Sequence, residues 1–226
     1  VRIYHGMTLF SPDSMNESFR NLDERFPARR VEPASTILPL KQDFRELPEQ
    51  YIYNGEQRSI REFLERTGTT GFLVAQGNRI LHEEYRNGYT EKDRMILWSV
   101  SKSVISALVG IAIAEGSIAS VYDPVTKYVP SLVASGYNGV SIKDVLQMSS
   151  GIGFNEDYFD RNSDVNRMGA RSLGLGGPLE DVLLSLDQER LPGTYNQYVS
   201  SDTQVLGMVL RQATGKDIAA YTQEKL

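Results

Sequence analysis

The chain has 226 residues, 40% of them hydrophobic and 23% charged, with a formal net charge of -5. That is enough for a sizeable core in one large or two small domains, and the acidic balance argues against nucleic acid or an anionic membrane as the main partner. Cysteine is absent, which excludes disulfides, a thiol nucleophile and a thiolate metal site.

The first 58 residues read as an N-terminal extension punctuated by Pro12, Pro27, Pro33, Pro39 and Pro48. Met15, Phe19, Leu22 and Phe26 recur at helical spacing and predict one helix over 13–25. The rest of this segment reads as extended chain. The chain opens on Val1 rather than methionine, which leaves room for a removed leader or membrane anchor. That tilts the expected compartment towards the periplasm or exterior.

A sheet domain is expected to start over 59–98. Ser59 and Glu62 have capping-box spacing, so a short helix is predicted to run to Arg66, with Gly68 as its stop. Strands follow over 72–76 and 79–85, joined by Gly77-Asn78 as a hairpin. Asn87-Gly88 marks the next turn.

Residues 99–226 read as a mainly helical domain. A long apolar run opens at Trp98-Ser99-Val100-Ser101-Lys102 and ends near Gly116. Its most apolar part, from Val104 to Ala114, is broken by Ser106 and Gly110 and is too short to cross a bilayer. Asp123-Pro124 starts a short segment ending at Pro130. A helix is predicted over 141–148, with Ser141 as cap and Asp144 three residues on. The stretch 155–177 is polar, glycine-rich and irregular, of a length that usually marks a functional loop. Pro178 should start a helix to about Gln188. A further helix is expected over 201–214, with Ser201 and Gln204 as its capping pair and Gly215 as its stop. A last helix starts near Asp217.

Two positions in this pattern carry chemistry. Ser99 and Lys102 are three residues apart, so on a helix the hydroxyl and the amine share a face. Ser99 sits at the helix start, where unpaired N–H groups and the positive end of the dipole favour a developing negative charge. Held against an apolar helix, the Lys102 amine would lose hydration, its pKa would fall, and it could serve Ser99 as a base. Taken alone the pair is weak. A chain this long holds about one chance S-x-x-K match, and a cap serine followed by a surface lysine reads the same way.

The competitors are few. The two histidines are His5, in an irregular stretch, and His82, in a predicted strand. Neither is placed to complete a Ser-His-Asp triad, and these counts argue against a histidine-rich metal site. The second feature is the run from Leu191-Pro192-Gly193-Thr194 to Tyr198-Val199-Ser200. A Pro-Gly turn there sets Tyr198 just before a helix. Beside a cationic lysine its hydroxyl could shuttle a proton; a packed ring with its hydroxyl on a carbonyl is the alternative.

Ser99-Val100-Ser101-Lys102, Leu146-Gln147-Met148-Ser149-Ser150-Gly151, Pro192-Gly193-Thr194 and Tyr198-Val199-Ser200 occur in the order and spacing of a known superfamily. The chain resembles the penicillin-recognising serine hydrolases: serine β-lactamases, DD-peptidases and their esterase and amidase relatives. Gly153-Phe154-Asn155-Glu156-Asp157-Tyr158, followed by Ser163-Asp164-Val165, resembles the 6-aminohexanoate-dimer hydrolases in particular. The resemblance runs over about residues 59–226. It implies an α+β, β-lactamase/transpeptidase-like fold, an antiparallel sheet flanked by helices plus a mainly helical domain.

By the same resemblance, Ser99 would be the acylated nucleophile, Lys102 its base partner and Tyr198 the general acid/base for the leaving group. The Ser99 N–H would be half of the oxyanion hole. Tyr158 would contact the leaving amine, and Ser200 would line the substrate site. Ser200 stands where β-lactamases of the tyrosine type carry asparagine, which favours an amidase or esterase over a β-lactamase or DD-peptidase. No metal or organic cofactor is implied, and the implied partner is a small-molecule amide or ester; oligomeric state is left open. A non-catalytic ligand-binding protein on the same fold is the reading outside enzymes. No Lys-Thr-Gly or His-x-Gly element follows Tyr198, although the family's third motif lies on a strand. The expectation is therefore an N-terminal part of a longer protein, inactive or poorly folded alone, with the closing strands and half of the oxyanion hole further downstream.

Overall fold

The structure is a computed structural model that describes residues 2–172, 174 and 176–226. It divides into two units: one made of residues up to Pro33 together with Ile96–Leu226, the other of Ala34–Met95.

The larger unit starts with three short helices, α1 (Arg2–Thr8), α2 (Met15–Arg20) and α3 (Leu22–Arg25). The single helix expected over 13–25 is thus split. The break is at Asn21, with φ -117° and ψ 38°, where the backbone N–H turns back to the Glu17 carbonyl. Asparagine competes well for such non-helical conformations. Phe26 is extended, as a residue before proline is pushed to be.

The smaller unit holds all five named strands. β1 (Lys41–Gln42) pairs in parallel with a later strand. β2 (Gln50–Tyr53) and β3 (Glu56–Ser59) form an antiparallel hairpin. Asn54 and Gly55 turn it, with φ of 51° and 79°, as a two-residue type I′ turn requires. Residues 50–58 fall in the segment expected to be extended chain; their side chains are largely exposed, so no alternation marks them as strands. α4 (Ile60–Arg66) follows, capped as expected by the Ser59 hydroxyl, which accepts from the Glu62 N–H at 3.3 Å. β4 (Gly71–Gln76) and β5 (Arg79–Tyr85) make the expected hairpin, with a register shift between Val74 and Ala75. The sheet order is β1-β5-β4. His82 is a sheet residue on β5, with Nε2 3.1 Å from Glu84 Oε2.

Beyond Met95 the described residues are helical or irregular. A 3-10 turn at Trp98–Val100 leads into α5 (Ser101–Ala114), which stops at Gly116 with φ 79°. α6 (Ile142–Leu146) is capped by Ser141, whose hydroxyl accepts from the Asp144 N–H at 3.1 Å. α7 (Asp164–Ser172) lies inside the stretch read as irregular. Ser163 starts it by accepting from the Asn166 N–H at 3.3 Å, and Met168 is its buried residue. α8 (Glu180–Leu184) is shorter than the helix expected from Pro178 to about Gln188. The chain leaves the helix because Leu186 and Asp187 give their carbonyls to the N–H groups of Gly136 and Gly153, at 2.8 and 2.9 Å. Gly136 permits this approach: a Cβ there would lie 2.5 Å from the Asp187 backbone.

α9 (Ser200–Thr214) and α10 (Ile218–Lys225) complete the unit. Gly215 ends α9 with φ 68°, and the Asp217 carboxylate caps α10 on the Ala220 N–H at 3.0 Å. The expected capping pair Ser201 and Gln204 does not form. Ser201 is inside the first turn, buried, and bonds Tyr137 instead.

The core of this unit forms where α5 packs along α9. Leu108, Val109 and Ala112 from α5 meet Val205, Leu206, Val209 and Leu210 from α9 in one buried cluster with Ile142, Val145 and Tyr221. A fully buried Leu or Val contributes about 1.5–3 kcal/mol. This packing brings the N-terminal ends of α5 and α9 together, and the candidate site is there.

Candidate active site

Ser99 is the middle residue of the 3-10 turn that opens α5, and Lys102 sits in the first turn of that helix. The Lys102 amine donates to Ser99 Oγ at 3.0 Å. Tyr198, two residues before α9, donates its hydroxyl to the same Ser99 Oγ at 2.7 Å. Lys102 Nζ lies 5.1 Å from the centre of the Tyr198 ring. The same amine donates to Ser200 Oγ at 3.3 Å. Four of the five residues singled out from sequence thus share one hydrogen-bonded cluster.

The fifth, Tyr158, joins through a residue that the sequence reading does not single out. Glu156 accepts from the Ser200 hydroxyl at 2.6 Å and from the Ser200 N–H at 2.9 Å. Its Oε1 also accepts from the Tyr158 hydroxyl at 2.9 Å. Partial desolvation, and then the carboxylate of Glu156, raise the pKa of the largely exposed Tyr158 phenol, so it stays a neutral donor. Glu156 stands two residues before Tyr158 in the loop motif, among several carboxylates from which nothing local distinguishes it. Ser200 faces Glu156 and Lys102 together, so its hydroxyl links the amine to the carboxylate.

Backbone contacts set Tyr198 in place. The Gly193 N–H donates to the Ser149 carbonyl at 2.8 Å, and the Gln197 N–H to the Met148 carbonyl at 2.8 Å. The Asn196 side chain donates to the Gln147 carbonyl at 2.7 Å. The Pro192-Gly193-Thr194 turn is therefore fastened along the segment that follows α6. Gly151 lets the two segments of this junction meet: with φ 78°, a Cβ on it would lie 2.1 Å from the Arg190 carbonyl oxygen.

Below the start of α9 lies a buried polar group. The Tyr137 hydroxyl donates to Asp202 Oδ1 at 2.9 Å and is 2.7 Å from Ser201 Oγ. Burial pushes the Asp202 carboxyl up to about 7, against the pull of hydrogen bonds from Ser150 and Tyr137. Burial likewise holds the Tyr137 phenol well above its ordinary range.

Among the described residues, no group of three or more His, Cys, Asp or Glu is arranged to hold a metal ion. Among them, too, no helix is long and apolar enough to cross a membrane.

Residues 57–226 match the Beta-lactamase family model. The 6-aminohexanoate-dimer hydrolase of Paenarthrobacter ureafaciens is 37% identical over 210 residues, covering 88% of this chain and 50% of that protein. The solved structure of a Bacillus anthracis protein provisionally described as a 6-aminohexanoate-dimer hydrolase matches with a TM-score of 0.82 at 18% identity. That match covers 97% of this chain and 60% of the other. A Bacteroides dorei protein provisionally described as a β-lactamase matches with a TM-score of 0.56 at 22% identity, over 73% of this chain and 47% of its own. At these identities the structural matches speak for the fold. The chain spans about half the length of the Paenarthrobacter relative. The family match covers most of the chain and includes the serine, lysine and tyrosine cluster, and the fold is the α+β one expected. The chain belongs to the beta-lactamase family, within the superfamily of penicillin-recognising serine hydrolases.

Proposed function

We propose that this chain carries the nucleophile side of a serine hydrolase site that opens amide or ester bonds of small substrates through an acyl-enzyme. The observation behind the reading is the pair of hydrogen bonds to one oxygen. Lys102 Nζ and the Tyr198 hydroxyl reach Ser99 Oγ at 3.0 and 2.7 Å, although Tyr198 is 99 residues away in sequence. A serine hydroxyl flanked in this way has a route for its proton as it attacks.

In this mechanism Ser99 Oγ attacks the substrate carbonyl carbon, and its proton passes to Lys102 acting as base. The carbonyl oxygen takes the charge and is met by the Ser99 N–H at the start of α5, where the helix dipole favours an anion. The Tyr198 hydroxyl then delivers a proton to the leaving amine or alkoxide, and the C–N or C–O bond breaks. Water attacks the acyl-Ser99 ester and gives a proton to the Tyr198 phenolate; Lys102 returns its proton to Ser99 Oγ as the acyl C–O bond breaks, and the acid leaves. Ser200 accepts from the Lys102 amine and in turn donates to Glu156. Tyr158 stands on the same loop, where it can meet the leaving group.

The Paenarthrobacter relative is named for a dimer of 6-aminohexanoate, so linear amides of ω-amino acids are the first substrates to try. The full-length protein should be assayed with such amides, with short p-nitrophenyl esters and with a chromogenic cephalosporin. Turnover of amides or esters well above the cephalosporin is expected. Fast cephalosporin turnover with neither of the others would replace this reading by a β-lactamase.

A further inference from the structure

Trp98 immediately precedes Ser99, and its backbone is unusual. Its φ is +44°, in the left-handed region where a bulky side chain is a genuine outlier. A residue stays in such a conformation only when its surroundings hold it there. Next to a reacting group, that restraint is what decides where the group points.

The surroundings come from the other end of the sequence. The Trp98 ring stacks on Phe10, with centroids 5.4 Å apart and planes at 18°. Phe19 meets the same ring edge-on at 5.5 Å and 76°. Phe10 and Phe19 are themselves edge-to-face at 5.9 Å. These are favoured aromatic geometries. Phe10 lies in the connection between α1 and α2, and Phe19 lies in α2. On the far side of Trp98, its carbonyl oxygen accepts from the Ser101 hydroxyl at 2.6 Å. Trp98 is thus held by its ring on one side and its carbonyl on the other, with Ser99 between it and α5. The family match starts at residue 57, so the two phenylalanines belong to a segment outside it.

We propose that Phe10 and Phe19 are positioning residues for Ser99. They clamp the Trp98 ring and so keep its left-handed backbone, which aims Ser99 Oγ between Lys102 and Tyr198. Without the clamp, Trp98 relaxes to negative φ and Ser99 turns away from its two partners. The proposal rests on the reading of Ser99 as the nucleophile.

The test is the rate at which a fluorophosphonate labels Ser99 in the full-length protein, followed by mass spectrometry, with thermal melting as the control for folding. Phe10→Ala/Phe19→Ala should label about tenfold or more slowly, since small misplacements of a reacting group carry penalties of that size. Trp98→Ala, strained at positive φ and without a ring to clamp, should be slowed similarly. Trp98→Asn should label close to the wild-type rate, because asparagine accepts the left-handed conformation. It should do so with or without Phe10 and Phe19. That rescue separates positioning from mere loss of packing, because Trp98→Asn removes as much ring as Trp98→Ala. Wild-type rates for the double variant, or Trp98→Asn no faster than Trp98→Ala, overturn the proposal. If the double variant fails to fold, the comparison at Trp98 decides alone. A wild-type protein that takes no label on Ser99 removes the nucleophile reading itself, and the clamp falls with it.

Discussion

Replacing Asp202 by asparagine should change how stability depends on pH. The carboxyl is completely buried, and burial raises it from an ordinary 3.8 to about 7. The folded protein therefore holds a proton on Asp202 that the unfolded chain gives up. The stability tied to that proton is fully present below about pH 4 and is lost as the pH rises towards 7. A gap of about three pH units at 1.36 kcal/mol each comes to roughly 4 kcal/mol lost across that window. Above pH 7 both states are ionised and the slope ends. Asparagine keeps the shape and an oxygen for the Tyr137 hydroxyl, but has no proton to lose. Melting temperatures of wild type and Asp202→Asn, measured from pH 4 to 9, should converge at the acid end and separate above neutrality. There the variant should be the more stable. For a chain of this size about 1 kcal/mol moves the melting point by about 2–4 °C, so even half the effect is readable. Tyr137 does not intrude, because its phenol stays protonated throughout, and the exposed carboxylates with lowered values cancel in the difference. Parallel curves for the two proteins would refute the reasoning.

Other consequences can be checked separately. Leu108→Ala empties a fully buried position between α5 and α9 and should cost about 2–5 kcal/mol in urea unfolding. Gly151→Ala sets a Cβ 2.1 Å from the Arg190 carbonyl oxygen at a positive φ; it should lower the melting temperature and slow Ser99 labelling by displacing the turn before Tyr198. Glu156→Gln keeps one acceptor for Ser200 and Tyr158 but removes the charge facing Lys102 through Ser200. It should lower kcat/KM for a p-nitrophenyl ester by about tenfold, of the order of one charge-assisted hydrogen bond. An unchanged kcat/KM would argue against the link.

Much of the fold was legible where local chemistry decides structure. Ser59 and Ser141 each cap the helix they were expected to cap, and Asp217 caps the helix expected to start near it, because a short polar side chain at that position satisfies N–H groups within its own turn. The hairpin of β4 and β5 follows from alternation and a Gly-Asn turn. Where distant groups decide, the pattern misleads. Ser201 has the spacing of a cap, but Tyr137, 64 residues away, takes its hydroxyl. The helix after Pro178 ends early because Gly136 and Gly153 draw off the next carbonyls. α7 was hidden by glycines and polar residues around it. The site itself was half legible. Ser99 and Lys102 are neighbours on one turn, so spacing alone predicts their contact, whereas Tyr198 needed the resemblance. Glu156 acts only through Ser200 and Tyr158, and nothing local distinguishes it from other loop carboxylates.

In the proposed reaction Ser99 is the nucleophile, with Lys102 as its base. The most direct test of these roles is fluorophosphonate labelling of the full-length protein, with the adduct located by peptide mass spectrometry. One adduct is expected, on Ser99, with none in Ser99→Ala and labelling slowed by about 10²–10⁴ in Lys102→Ala. An adduct on another residue, or Lys102→Ala labelled at the wild-type rate, would contradict them.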